Sequence, residues 1–256
     1  MIGCVVGMGR PPESTLIPDT TLFGDAWWSA TSGVANWNAL TGDPSGFAFR
    51  PIEPGTIVNA GSLAVSPGHS FSAIGGTIAS TGTIAAPAGT VTALAVPGES
   101  LVRLSIPGNV LSLDVAPIVS PATDLPLAAS LPELLTGNVS LQQASQLSVN
   151  ADGSVSLSST PEVGIAVEPG TVLLSGAIDV ANEISPDLGT AQQATILGDS
   201  IAVMDATIDA SGVAGGGTVL VGGEFQGNGV LPNADVLYVN SGSQVLSDAI
   251  GSGDGG

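Results

Sequence analysis

The triplet Gly-Thr-Ile/Val begins at Gly55, Gly76, Gly82, Gly89, Gly170 and Gly217, and its closer spacings are 21, 6 and 7 residues. A phrase returning at such intervals asks for a coil of about three short sides, each near 7 residues, in a rung of about 20. A second phrase agrees with it. A residue, then Leu or Ile, a small or acidic residue, and Val form SLAV (62–65), ALAV (93–96), SLDV (112–115), QLSV (146–149), GIAV (164–167), AIDV (177–180) and SIAV (200–203). The aliphatics of each tetrad stand two apart, as Leu63/Val65 and Ile178/Val180 do, which is the strand period and sends both to one face. The residue between them, Ala64 or Asp179, then faces water.

Helix is disfavoured throughout, because 36 Gly and 18 Pro interrupt nearly every window and Val, Ile and Thr fill the gaps. Only Leu131 to Asn138 and the nearby SLQQASQ look able to form a helical turn. Short strands separated by Gly, Asn, Asp and Pro suit a sandwich, a closed barrel or a stacked solenoid. Strands of about 4 residues and rung-like repeats favour the solenoid. The expected fold class is therefore all-β, a parallel β-helix in which aliphatics pile on aliphatics at the inter-strand spacing of about 4.8 Å.

Leu63, Val65, Ile78, Ile84, Val91, Leu94, Val96, Ile178, Val180, Ile201 and Val203 are the expected core. Gly is expected at corners that need positive φ, and Thr on the wetted face. If about 180 residues coil in this way, the rod has about 9 rungs and is about 43 Å long. Three parts follow: residues 1–50 as an irregular, aromatic-rich N-terminal segment or cap, 51–245 as parallel β-helix repeats, and 246–256 as a flexible Gly-rich tail. The cap rests on residues 22–49, which hold all three Trp and three of the five Phe. An end of a solenoid has to be covered, since its strands otherwise offer unpaired edges.

Charge narrows the partners. Twenty-two carboxylates stand against Arg10, Arg50 and Arg103, with no Lys, for a net charge of -19. Such a surface repels phosphate, so nucleic-acid binding is discarded and anionic membranes are disfavoured. Charged residues are only 10% and the mean hydropathy is positive, so the chain can bury apolar area and global disorder is not expected. The single Cys4 can form neither an internal disulfide nor a zinc site. No basic n-region followed by an h-region opens the sequence, and no stretch has the uninterrupted apolar length of a transmembrane segment.

Several phrases together resemble a known family. WWSAT (27–31), LTGDPSGFAF (40–49), residues 57–115, LPELLTG (131–137) and residues 206–235 resemble filamentous-haemagglutinin-like exoproteins of two-partner secretion systems, especially the large cyanobacterial ones. The resemblance covers nearly all of the chain after about residue 20 and specifies architecture better than activity. It implies a right-handed parallel β-helix, exported through an outer-membrane secretion partner barrel and displayed as an adhesin toward a cell-surface or carbohydrate receptor, or secreted. Members of the family carry a signal peptide and an Asn-Pro-Asn-Gly-type motif. Neither is present here, so the chain is expected to be a fragment that lacks the N-terminal secretion domain.

Candidate chemistry is sparse. His69 is the only histidine, beside Ser70 and near Ser72, but no Gly-x-Ser-x-Gly elbow exists and adjacency in sequence is not triad geometry. Paired carboxylates are the sharper enzymatic idea, since polysaccharide lyases and glycosidases also use β-helices and need acid and base groups. Acids such as Asp114, Asp179, Asp205 and Asp209 are expected on or beside strands. Only Arg103, with Glu99 four residues before it, supplies a cation in the repeat region. The nonapeptide repeat and EF-hand loop of calcium sites are missing, GSGDGG (251–256) has no helix after it, and Asn138-Val139-Ser140 is a glycosylation sequon by pattern alone. The expectation is a structural and binding protein, not an enzyme, with no catalytic, cofactor or metal residues; the alternative is a carbohydrate-active β-helix enzyme.

Overall fold

The computed structural model describes residues 55–97, 168–184 and 192–256 continuously, and outside them the backbone of the strands named below. Among the described residues the regular structure is β, apart from one 3-10 turn at Phe225–Gly227. Strand β1 is Gly3–Val5; β2 (Thr20–Phe23), β3 (Ala26–Ser29), β4 (Gly33–Val34) and β5 (Gly46–Phe49) follow. A first circuit then holds β6 (Thr56–Asn59) and β7 (Ser62–Ala64), and a second holds β8 (Ser70–Gly75), β9 (Thr77–Ser80) and β10 (Thr83–Ala85). The third starts with β11 (Thr90–Ala95). It is interrupted by β12 (Ser100–Leu104), β13 (Val110–Val115), β14 (Leu147–Val149), β15 (Val155–Leu157) and β16 (Val163–Ile165), then resumes with β17 (Thr171–Leu174) and β18 (Ala177–Asp179). The fourth circuit is β19 (Gln193–Leu197), β20 (Ser200–Val203) and β21 (Thr207–Asp209), and the fifth is β22 (Thr218–Val221), β23 (Val236–Val239) and β24 (Gln244–Leu246).

These circuits build three parallel sheets of five strands, ordered β1-β8-β11-β19-β22, β6-β9-β17-β20-β23 and β7-β10-β18-β21-β24. The chain visits the three in the same order on every turn, as a parallel β-helix or solenoid requires. Register lines the aliphatics into columns. Ile57, Ile78, Val172, Ile201 and Leu237 are partners along the second sheet. Leu63, Ile84, Ile178, Ile208 and Val245 are partners along the third. In the first sheet Gly3, Phe71, Val91, Ala194 and Val219 alternate in size, so one large ring fits a narrow interior.

Nine of the eleven expected core residues are buried, and Leu63 and Val65 pack against the core while partly exposed. Leu94 is buried on the other face from the one expected. Val91, Ala93 and Ala95 join the interior cluster, whereas Leu94 lines up with Ile74 and Leu197 at the alternate positions. Both faces of the first sheet are thus buried around β8 and β11, where a period-of-two reading assumes one wet side. The third sheet keeps that wet side, with only the middle residue of β10, β18 and β21 buried.

Within residues 20–49 the described strands β2, β3, β4 and β5 join β12 and β13 in an antiparallel sheet ordered β13-β12-β5-β2-β3-β4. Thr-Thr-Leu-Phe pairs with Ala-Trp-Trp-Ser across the two residues Gly24-Asp25, a hairpin spacing between β-forming runs. Within 51–245, β12 to β16 pair antiparallel and lie outside the three parallel sheets. Among the described residues five strands per sheet give about 24 Å at the same spacing per rung, against the 43 Å expected. Residues 247–256 bond back to the preceding circuit, with Ile250 N–H donating to Gly212 O and Gly216 N–H to Asp254 O.

The expectation of glycine at corners that need positive φ is corrected at the triplets. Of the triplet glycines that the structure describes, only Gly170 has a positive φ, +88°. A Cβ on Gly82 would overlap the Gly61 carbonyl oxygen, one on Gly89 the His69 carbonyl oxygen, and one on Gly217 the Gln192 carbonyl oxygen. These glycines are placed where the backbones of successive circuits nearly touch. The left-handed residues lie elsewhere, at Gly68 and Ala88 of equivalent corners for example.

Candidate functional site

Carboxylates meet at the corner between the first and second sheets. Asp199 immediately precedes β20 and Asp235 immediately precedes β23. Ser200 is the register partner of Val236, so the two acids hold the same place in successive circuits, with backbones about 4.8 Å apart. Asp235 N–H donates to Asp199 O at 2.8 Å. Burial, and then the charge of Asp235, hold the Asp199 carboxyl above its ordinary range. One circuit earlier the position is Gly170, where a Cβ would come 3.2 Å from Asp199 Oδ2.

The sequence offered a signal for this pair that the tetrad reading passed over. Asp199-Ser-Ile-Ala-Val and Asp235-Val-Leu-Tyr-Val share an acid two residues before the inward aliphatic. The acids singled out instead hold turns. Asp179 and Asp209 are register partners on the third sheet, and each Oδ1 accepts a backbone N–H two residues on, from Ala181 at 3.0 Å and Ser211 at 2.8 Å. Asp205, at φ +50°, exchanges two bonds with Asn240: its N–H donates to Asn240 Oδ1 and its Oδ1 accepts from Asn240 Nδ2, both at 2.9 Å. These three carboxylates bind backbone or a neighbouring amide rather than facing one another across a cleft.

His69 is likewise a turn residue. Its Nδ1 lies 3.1 Å from Ser66 O and 3.0 Å from Pro67 O, and since both are acceptors Nδ1 carries the proton. Ser70 Oγ accepts from Thr90 Oγ1 at 2.7 Å, and Ser72 is buried, so no Ser-His pair forms there. Arg103 on β12 and Asp114 on β13 lie in the antiparallel sheet, paired with Ser112 and Leu101. Cys4 is on β1, in register with Ser72. Glu99 and Asn138 lie outside the described residues. Gln192 is buried at the corner beside Gly212 and Gly217, with neither amide atom hydrogen-bonded.

Among the described residues no group of three or more His, Cys, Asp or Glu is placed to hold a metal ion. No helix among them is long and apolar enough to cross a membrane. The consequence at this corner is an Asp199 carboxyl held above its ordinary range. A carboxyl whose pKa is raised on folding binds its proton more tightly in the native state, so stability falls as pH rises from 3.8 through the raised value. Asp199→Asn is expected to be more stable than the parent at pH 7 by about 0.5 kcal/mol, since the amide escapes first the cost of burying a charge and then the solvent-screened repulsion of Asp235. Urea midpoints of the two proteins should converge as the pH is lowered toward 3; a gap that widens instead rejects the assignment. No protein-family model matches the sequence, and no curated protein matches it.

Proposed function

We propose that the chain is a right-handed parallel β-helical part of a filamentous-haemagglutinin-like adhesin, exported through an outer-membrane partner barrel, and that its function is to hold a binding surface away from the cell. The supporting observation is the repetition of five circuits through three parallel sheets, with aliphatic columns inside and a wetted third sheet outside. Stacking of this kind extends in one direction and needs no pocket. The resemblance of residues 27–31, 40–49 and 57–115 to that family supplies the export route and the adhesive role.

The test is where the chain resides and what it holds. Antibody against the purified chain should label intact producing cells, and external protease should remove the label. Beads coated with the chain should be retained on cell-surface or carbohydrate-coated plates. Chain confined to the soluble interior of unbroken cells, or beads retained no better than albumin-coated ones, overturns the reading. A second reading, a carbohydrate-active enzyme, rests on Asp199 and Asp235 lying at one corner in successive circuits. It requires new reducing ends or unsaturated products from acidic polysaccharides, and loss of that product in Asp199→Asn.

A further inference from the structure

Exposed apolar surface is concentrated at one end of the stack. Of the eight large apolar side chains exposed among the described residues, six lie in or beyond the fifth circuit: Phe225, Val230, Leu237, Val239, Val245 and Ile250. Leu237 and Val245 terminate the inner columns of the second and third sheets, yet they are 47% and 52% exposed. At the opposite end of Leu237's column, Ile57 is 6% exposed. Ile57 is therefore covered, whereas Leu237 and Val245 are open among the described residues. Its strands β22, β23 and β24 are each last in their sheets and leave one backbone edge unpaired among the described residues.

The rim of this end is of one sign. From Thr218 to Gly256 the chain carries Glu224, Asp235, Asp248 and Asp254 and no Lys, Arg or His. The loop between β22 and β23 is also built rather than loose. The Glu224 carboxylate accepts from Val230 N–H at 2.8 Å and Leu231 N–H at 3.0 Å, and Asn233 Nδ2 donates to Gly227 O at 3.2 Å. That closure leaves Phe225 and Val230 in solvent beside the open edge of the same circuit.

We propose that the fifth circuit is a docking end for an extended segment of a partner protein that alternates aliphatic and basic residues and adds as a strand along the edge of β23. Backbone pairing satisfies the free edge, alternate aliphatic side chains cover Leu237 and Val239, and the intervening cations meet the acidic rim. A second copy of this chain is the poorer occupant. It would bring a net charge of -19 toward a segment, residues 218–256, that carries no cation of its own.

The full chain is titrated calorimetrically with a short capped peptide of alternating Val and Lys, and with a Val/Glu peptide of equal length. The Val/Lys peptide should bind, slow amide exchange in Val236–Val239 but not in Thr171–Leu174, and weaken about tenfold on going from low to high salt. Leu237→Ser with Val239→Ser, at positions already about half exposed, should weaken it about tenfold again without unfolding the chain. Any one of four results overturns the proposal: no binding, equal binding of the Val/Glu peptide, protection confined to other strands, or salt-resistant self-association of the chain in place of peptide binding. None of these touches the adhesin reading, which concerns location and display.

Discussion

Replacing Ile78 by Asp is expected to lower the stability of the chain by about 4 kcal/mol, which moves a urea midpoint down by about 2 M. Ile78 is buried at 1% exposure in a column with Ile57, Val172 and Ile201, so an aspartate there has only aliphatic neighbours along the stack. It loses the apolar contacts of a full side chain and must either neutralise or admit water. The loss should shrink as the pH falls, because a buried carboxyl unpaired by any cation takes up a proton in preference to staying charged. Val58→Asp is the internal comparison. Val58 follows Ile57 on β6, points the other way and is 40% exposed, so the same substitution should change stability by no more than about 0.5 kcal/mol. Equal midpoints for the parent and Ile78→Asp, by circular dichroism in urea, would remove Ile78 from the interior and the column model with it.

Gly82→Ala should cost about 2–3 kcal/mol, while Gly61→Ala at the same corner one circuit earlier should be nearly neutral. Neither glycine has a positive φ, so conformational strain does not separate them. What separates them is the neighbour: a Cβ on Gly82 runs into the Gly61 carbonyl, and a Cβ on Gly61 meets nothing within 4 Å. The obstacle is backbone held in a ladder, since Thr83 N–H donates to Gly61 O at 2.9 Å, and it can yield only if the circuits part. Without the clash the alanine would stabilise by about 0.4–1 kcal/mol through the unfolded chain. A gain in midpoint for Gly82→Ala therefore refutes the close approach, whatever its size.

The wetted third sheet was the most legible part. Thr83-Ile84-Ala85, Ala177-Ile178-Asp179 and Thr207-Ile208-Asp209 each put one aliphatic between two polar or small residues, and the burial follows that pattern. Where a sheet is covered on both faces, period two no longer distinguishes inside from outside, and Val91 and Leu94, on opposite faces of β11, are both buried. The acidic corner was missed for a different reason. Asp199 and Asp235 are 36 residues apart, and only the pairing of β20 with β23 across the long loop at 222–235 brings them into adjacent circuits.

Local chemistry along the chain was enough to determine strands over helices, a stacked order over a globule with a pocket, and aliphatics over aromatics in the interior, because Gly and Pro spacing and the two-residue period act within a few positions. The number of circuits, the antiparallel sheet that takes Trp27, Trp28 and Phe47, the reason for each glycine and the open acidic end were decided only in three dimensions. Each of these depends on which backbone lies one layer above or below, and that neighbour is set by pairing across tens of residues rather than by the residues beside it.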